Sequence, residues 1–155
     1  MDKPLKIILE GSNKSGKSTL AELCRKEFPD IEFADRSFIS DRVYAYLFDR
    51  DTYLGVDITT YLSYWEQVHK NNLDTRIILC EADIDDLVQR STAASEPFCR
   101  NRTSEQVARY LDKEKQEFHF WTIHVTETRK FPLMRLNTSK YSIEQCMERI
   151  REFIK

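Results

Sequence analysis

Eight residues near the start of the chain, Gly11 to Ser18, match the pattern Gly-x-x-x-x-Gly-Lys-Ser. The apolar run from Leu5 to Leu9 precedes the pattern and predicts a buried parallel strand, while residues 19–24 continue as an amphipathic helix. In such a strand–loop–helix arrangement, backbone N–H groups and the positive end of the helix dipole point at one spot, where they bind phosphate oxygens. The pattern therefore predicts a phosphate-binding loop at residues 11–18, called the P-loop below.

The side chains of this loop suit a nucleotide and its metal ion. We expect Lys17 to neutralise the β and γ phosphates and the Ser18 hydroxyl to hold a magnesium ion. Two of the three glycines of the chain stand at the two glycine positions of the pattern. The predicted nucleotide-binding residues are Gly11, Ser12, Asn13, Lys14, Ser15, Gly16, Lys17, Ser18 and Thr19.

Composition excludes several classes of protein. The 155 residues fit a single domain, 1–155, and 41% hydrophobic with 32% charged residues is ordinary for a soluble globular protein. A formal net charge of −2 gives no general attraction to nucleic acid or to an anionic membrane. Residues 1–4 lead directly into the first strand and no apolar stretch reaches membrane-spanning length, so we expect no membrane partner and a cytoplasmic location. The four cysteines lie far apart, which argues against disulfides and zinc.

Strand and helix patterns alternate along the rest of the chain. Further strands are predicted at 31–34, 75–80 and 131–136, and helices at about 16–28, 38–49 and 58–70, from 83, from 103 to at least 121, and from 142. This alternation predicts an α/β fold with a small parallel sheet of about four strands, helices on both faces, and ligands at the carboxyl ends of the strands. Residues 91–103 are small, polar and contain Pro97, which predicts a mobile surface loop.

Two further groups of polar residues are expected to join the P-loop. Asp35 follows the second strand, where it can hold the metal ion through water or accept a proton, and Arg36 beside it can bind an acceptor phosphate through two hydrogen bonds. Arg100 and Arg102 stand in the predicted mobile loop, which can close over phosphates as a lid. The alternative for Asp35 and Arg36 is a solvated pair at the end of a strand. The alternative for Arg100 and Arg102 is a surface loop that its charges make soluble. The predicted catalytic residues are Lys17, Asp35, Arg36, Arg100 and Arg102, and the predicted metal ligands are Ser18 and Asp35.

Several motifs, in order along nearly the whole chain, resemble the thymidylate kinase and deoxynucleoside kinase branch of the P-loop kinases. They are residues 10–19, Asp35-Arg36-Ser37 followed by Ser40-Asp41-x-Val43-Tyr44, Ile77-Ile78-Leu79 leading into a helix with Leu87-Val88-Gln89-Arg90, and Arg100-x-Arg102 before a long helix. The chain is most similar to the short thymidylate kinase-like proteins of phages. The resemblance implies a three-layer P-loop kinase fold and phosphorylation of a nucleotide or nucleoside by ATP with Mg²⁺.

The resemblance also implies roles for individual residues. The lid arginines would act on the transferring phosphoryl group and the Asp35-Arg36 pair near the acceptor. Asn13 would meet a sugar hydroxyl more weakly than the acid that thymidylate kinases often carry there. Lys14 would add charge at the phosphates, and Arg90 would lie near the adenine or the lid or have a structural role.

One departure from the family concerns the acceptor. Only 16 residues separate Ser18 from Asp35, whereas the family usually places an additional strand and helices there, with acceptor-site residues. Four aromatic residues, Tyr44, Tyr46, Tyr61 and Trp65, are expected mainly in the core, or they form a smaller pocket. Otherwise the acceptor is larger and held partly outside, as an oligonucleotide end would be.

The sequence favours a deoxynucleoside monophosphate kinase with dTMP as the first acceptor, since an ionised monophosphate needs only cations whereas a hydroxyl needs a carboxylate. A deoxynucleoside kinase using Asp35 or Glu10 is second, and a kinase of polynucleotide ends or modified DNA bases is third. A nucleotide-binding module without catalysis is the alternative from another class. The expected partner is a small nucleotide rather than nucleic acid, and the oligomeric state stays open, with a homodimer as one option.

Overall fold

Strands and helices alternate around a central parallel sheet in the computed structural model, which describes residues 2–155. The elements in chain order are β1 (Leu5–Glu10), α1 (Lys17–Glu27), β2 (Glu32–Ala34), α2 (Phe38–Leu47), β3 (Thr52–Tyr53), β4 (Val56–Asp57), α3 (Ile58–Asn72), β5 (Asp74–Glu81), α4 (Ile84–Ala93), α5 (Ser104–Arg129), β6 (Leu133–Asn137) and α6 (Ile143–Ile154). A single 3₁₀ turn, Pro97–Cys99, lies between α4 and α5. The predicted α/β fold is confirmed.

The central sheet has the strand order β2-β1-β5-β6, and all three pairings are parallel. Ile8 of β1 pairs with Ala34 on one side and Ile77 on the other, so β1 is an inner strand. Three residues in the middle of β1, Ile7–Leu9, and four of β5, Ile77–Cys80, are continuously apolar because helices cover both faces of these strands. The P-loop follows β1 directly and so begins at the middle of the carboxyl edge of the sheet.

Two hydrophobic cores, one on each face, hold the three layers together. Ile7 and Leu9 point to the face covered by α1 and α6, whereas Ile8 between them points to the face covered by α2, α3 and α5. A smaller cluster joins α4 to the first turns of α5 through Leu87, Val107 and Leu111. Within residues 2–155, no helix combines the length and the apolar composition that a membrane span requires.

The structure differs from the predicted elements in two places. Helix α4 continues to Ala93, so the connection to α5 begins at residue 94 rather than 91, because Ser91 still packs in the interior. The segment between the predicted helices 38–49 and 58–70 contains a two-stranded antiparallel hairpin, β3–β4, whose tip residues Leu54 and Gly55 have positive φ angles of 51° and 78°. Leucine is rare in that conformation, so this hairpin had little sequence signal.

Candidate active site

The P-loop turns sharply away from β1 through residues with positive φ angles. Gly11 has φ +147° and Gly16 has φ +96°, and Lys14 between them has φ 64°. A Cβ atom at Gly11 would lie 2.3 Å from the backbone carbonyl oxygen of Cys80 on β5. Since real Cβ atoms do not approach carbonyl oxygens so closely, this position requires glycine. The loop is therefore held against the neighbouring strand by its backbone.

Helix α1 begins without a side-chain cap from the described part of the chain. Its N-cap residue is Gly16, and its first turn, Lys17 to Thr19, contains no acidic residue. Helices α5 and α6, by contrast, begin with complete capping boxes at Thr103 and Ser142. The free N–H groups at the start of α1 and the positive end of its dipole form an anion-binding site. This geometry fits the phosphate groups of a nucleotide.

A network of hydrogen bonds supports the P-loop from outside. Thr138, just after β6, donates its hydroxyl to the Ser15 carbonyl at 2.7 Å, and Arg90 of α4 donates to the Lys14 carbonyl at 2.9 Å. Arg90 also contacts the Thr138 hydroxyl at 3.3 Å. Inside the loop, the buried Ser15 hydroxyl has no hydrogen-bond partner among residues 2–155. Arg90 therefore braces the loop in this structure, and Ser15 Oγ is an unused polar group.

A pocket of about 470 Å³ opens beside the loop. The P-loop and the first turn of α1 form one wall, and Arg90, Glu96, Thr138, Tyr141 and Ile143 form the other. The polar phosphate site thus continues into a partly apolar space, which is the arrangement that the phosphates, sugar and base of a nucleotide require.

Lys17 lies among carboxylates behind the loop. Its Nζ donates to the Gly11 carbonyl and lies 5.1 Å from the centre of the Phe118 ring. Burial lowers the pKa of Lys17, while the negative charges of Glu10 and then Glu114 raise it. The ammonium group is therefore held where the loop can present it to an anion.

Glu10 is fully buried and both of its carboxylate oxygens have hydroxyl donors. Ser37 donates to one oxygen and Ser40 to the other, so β1 is tied to the start of α2. Burial raises the pKa of Glu10, and Lys17 and the two hydroxyls lower it. As a proton acceptor for a hydroxyl substrate, Glu10 would first have to leave these partners.

The predicted metal ligands are Ser18, which lines the pocket beside the P-loop, and Asp35, which follows β2. Ser18 is exposed in the first turn of α1, and Asp35 is half-buried, with its Oδ1 3.8 Å from Arg25 Nη2. No group of three or more His, Cys, Asp or Glu side chains in residues 2–155 is arranged to hold a metal. Mg²⁺ bound mainly by phosphates and water needs only one or two protein oxygens, so this donor set fits it.

Helices α2 and α3 position the residues predicted to lie near an acceptor, and this region is called the acceptor side below. The Arg36 guanidinium lies 5.4 Å from the centre of the Tyr44 ring. Asp41, one turn along α2, accepts a hydrogen bond of 3.4 Å from the Tyr61 hydroxyl. Burial raises the pKa of Asp41, and Tyr61, Arg36 and Arg50 lower it. Asp41 was missing from the predicted site, although it lies within the Ser40-Asp41 motif.

The four aromatic residues expected in the core or in a pocket differ in their exposure to solvent. Tyr44 is half-buried, with its ring 5.7 Å from Phe118, and Tyr61 is half-buried between α2 and the hairpin. Tyr46 is 60% exposed and Trp65 is 38% exposed. Tyr44 and Tyr61 therefore border the acceptor side, while Tyr46 and Trp65 are largely at the surface.

The lid arginines are exposed and separate from the P-loop in this structure. Arg102 lies 5.5 Å from the Tyr110 ring, and Arg100 follows the 3₁₀ turn. The connection between α4 and α5 contacts the P-loop through Glu96, whose Oε1 lies 3.0 Å from Lys14 Nζ. Lys14, expected to face the phosphates, is thus paired with this segment.

Glu114 is a second residue that sequence reasoning missed. It is fully buried on α5 and accepts hydrogen bonds from the Asn13 backbone N–H at 2.6 Å and from Asn13 Nδ2 at 3.2 Å. Val107, Leu111, Glu114 and Phe118 share one buried stripe of the helix. A carboxylate in an otherwise apolar stripe was the available signal.

Comparison with solved structures finds proteins with the same fold, among them a kinase. YorR from Bacillus subtilis, in complex with phosphorylated GDP, is similar with a TM-score of 0.68 and 15% identity over 96% of this chain and 95% of that chain. Deoxyadenosine kinase from M. mycoides with bound dATP has a TM-score of 0.60 and 13% identity over 97% and 100%. The same kinase with bound dCTP has a TM-score of 0.57 and 14% identity over 97% and 98%. No protein-family model and no curated protein matches the sequence.

Proposed function

We propose that this protein is a nucleotide kinase that transfers the γ-phosphoryl group of ATP, bound with Mg²⁺, to a deoxynucleoside or its 5′-monophosphate. The observation that carries the proposal is the uncapped start of α1 after the P-loop, because free N–H groups there face a half-buried lysine and together they suit an anion. Transfer of a phosphoryl group depends on positioning and charge neutralisation, for which Lys17, Arg36 and the lid arginines supply the cations.

Magnesium would be held by the Ser18 hydroxyl, with Asp35 reaching it directly or through water. The ion would supply charge neutralisation at the phosphates. Release of Asp35 from Arg25 is a small cost, since both groups are partly exposed and 3.8 Å apart. Arg100 and Arg102 would move towards the phosphates when the connection between α4 and α5 closes over the site.

A monophosphate is the first acceptor to test, with dTMP as the leading candidate. Arg36 is exposed at the acceptor side, and Glu10 is occupied by Ser37 and Ser40. A site with an exposed cation and an engaged carboxylate suits an acceptor that is already ionised.

A deoxynucleoside is the second candidate acceptor, and two observations favour it. The solved structures with the same fold include a deoxyadenosine kinase, and Asp41 places a second carboxylate beside Arg36 on the acceptor side. Asp35 or Asp41 would then take the proton from the hydroxyl.

A transfer assay separates these possibilities. Purified protein is incubated with [γ-³²P]ATP and Mg²⁺ and with each deoxynucleoside, each monophosphate and a short DNA oligonucleotide. We expect label on a monophosphate and its loss in Lys17→Ala. Label on a nucleoside alone would indicate a deoxynucleoside kinase. Label on DNA alone would indicate a polynucleotide kinase. ATP binding without transfer to any acceptor would indicate a nucleotide-binding module.

A further inference from the structure

Glu114 and Asn13 form a paired hydrogen bond across the interior of the site. The two residues are 101 positions apart, and Glu114 receives the backbone N–H of Asn13 on Oε1 and its side-chain Nδ2 on Oε2. Both donors therefore face a carboxylate that has no exposed surface. Because the carboxylate offers only acceptors, the Asn13 amide must turn its NH₂ group towards Glu114.

This orientation decides which atom Asn13 presents to a ligand. With Nδ2 held by Glu114, the atom left for other partners is Oδ1, a hydrogen-bond acceptor. Asn13 also lines the pocket beside the P-loop. The group that this amide suits is a hydrogen-bond donor, such as a hydroxyl group of a bound nucleotide or nucleoside.

Glu114 is also connected to the other parts of the site. Its charge contributes to raising the pKa of Lys17, and burial together with Glu114 raises the pKa of Tyr110, one helical turn away, to about 12. Arg102 lies 5.5 Å from the Tyr110 ring. Glu114 on α5 is therefore close both to the P-loop lysine and to Tyr110, the residue of the same helix that contacts Arg102.

We propose that Glu114 is a positioning residue for phosphoryl transfer, which rests on the kinase function proposed above. Glu114 holds the Asn13 peptide in the P-loop and fixes the amide so that Oδ1 accepts a hydrogen bond from a substrate hydroxyl. Glu114 acts through Asn13 and itself contacts no substrate.

Exchanging the two side-chain types tests this role. In Glu114→Gln, the amide of Asn13 can flip so that Oδ1 accepts from the new Nε2, which keeps the protein folded but turns Nδ2 towards the substrate. In Asn13→Asp, two carboxylates face each other. In the double variant, one oxygen of Asp accepts from Gln and the other is again presented to the substrate, with the total charge of the pair unchanged.

The expected results follow from this exchange. Each single variant loses about tenfold or more in kcat/KM, and the double variant recovers to within about threefold of wild type. Glu114→Gln unfolds within about 3 °C of wild type, because its hydrogen bonds are remade. The Asn13 side-chain NH₂ resonances in a ¹⁵N–¹H spectrum are shifted and protected in wild type and not in Glu114→Gln. Asp112→Asn, which removes the charge of a carboxylate that accepts an exposed 2.8 Å hydrogen bond from Gln116 on the same helix, leaves activity unchanged.

Other results would overturn the inference. A double variant no more active than Glu114→Gln, or a loss of activity that only follows a loss of folded protein, would show that Glu114 merely fills the core. Failure of the kinase proposal is seen separately, because wild-type protein would then transfer label to no acceptor whatever the Asn13 resonances show.

Discussion

The two sides of the site are built in different ways. On the proposed donor side, the contacts involve the backbone of the P-loop: Gly11 lies against Cys80, the Ser15 carbonyl accepts from the Thr138 hydroxyl, and the N–H groups at the start of α1 have no side-chain cap. On the proposed acceptor side, α2, α3 and the hairpin β3–β4 meet through side chains, and Tyr46 and Leu54 are 60% and 85% exposed. The proposed phosphate site therefore depends mainly on backbone geometry, whereas the proposed acceptor side depends on side chains from separate elements.

Removing the donor-side cation should have the largest effect. We expect Lys17→Met to lower kcat/KM by about 10³-fold, equivalent to about 4 kcal/mol, because the transferring phosphoryl group loses its nearest positive charge. Steady-state transfer assays with the acceptor identified in the labelling experiment measure this effect. Residual activity above a tenth of wild type would contradict the assigned role.

Two matched variants support the interpretation of Lys17→Met. Lys17→Arg keeps a positive charge opposite Glu10 and Glu114, so it should fold normally while still transferring poorly. Lys26→Met, in the last turn of the same helix, removes a lysine that is 74% exposed and pairs weakly with Glu22, so its activity should equal that of wild type.

The second prediction compares a donor-side glycine with one on the acceptor side. Gly11→Ala should destabilise the protein by about 3 kcal/mol or more, because its Cβ meets a backbone oxygen at 2.3 Å and its φ is positive. Gly55→Ala should cost only about 1 kcal/mol, since no atom lies within 4 Å of its Cβ and only the φ of +78° is unfavourable. Urea unfolding midpoints measure both, and equal losses would contradict the contrast.

The same contrast explains what the sequence predicted well. The strand–loop–helix arrangement at the P-loop and the parallel strands follow from backbone requirements that only a few residue types meet, and the structure contains both. Helix starts were predicted to within about one residue. Two helices run further than predicted: α4 continues through the polar residues 91–93 around the buried Ser91, and α5 continues past residue 121 to Arg129.

The side chains of the candidate site that the sequence did not predict make contacts with residues far away in the chain. Glu114 meets Asn13 across 101 positions, and Asp41 meets Tyr61 across 20 positions. Neither pairing leaves a periodic or spaced pattern. The pairing of Lys14 with Glu96 is of the same kind. Local patterns therefore predict where a phosphate would bind, but only the tertiary structure shows which side chains contact that loop.

The third prediction concerns the acceptor-side arginine. We expect Arg36→Ala to raise the KM of a monophosphate acceptor by about tenfold to a hundredfold and to leave the KM of ATP unchanged, because a charge-assisted hydrogen bond to the acceptor is lost. Arg50→Ala is the control, since Arg50 is also exposed and lies 5.3 Å from an aromatic ring, that of Phe48. If the KM of ATP increased instead, Arg36 would be assigned to binding of ATP and not of the acceptor.

The substitution with the smallest expected effect tests whether an exposed aromatic residue of the acceptor side contacts the acceptor. Tyr46 is 60% exposed near the end of α2, so Tyr46→Ser should change stability by no more than about 0.5 kcal/mol and leave both KM values unchanged. A larger acceptor, such as an oligonucleotide end, would extend over this surface and stack on such a ring, which is worth about 1–3 kcal/mol per base. An increase of tenfold or more in the KM for an oligonucleotide, with the KM of monophosphates unchanged, would therefore contradict the proposal of a small acceptor.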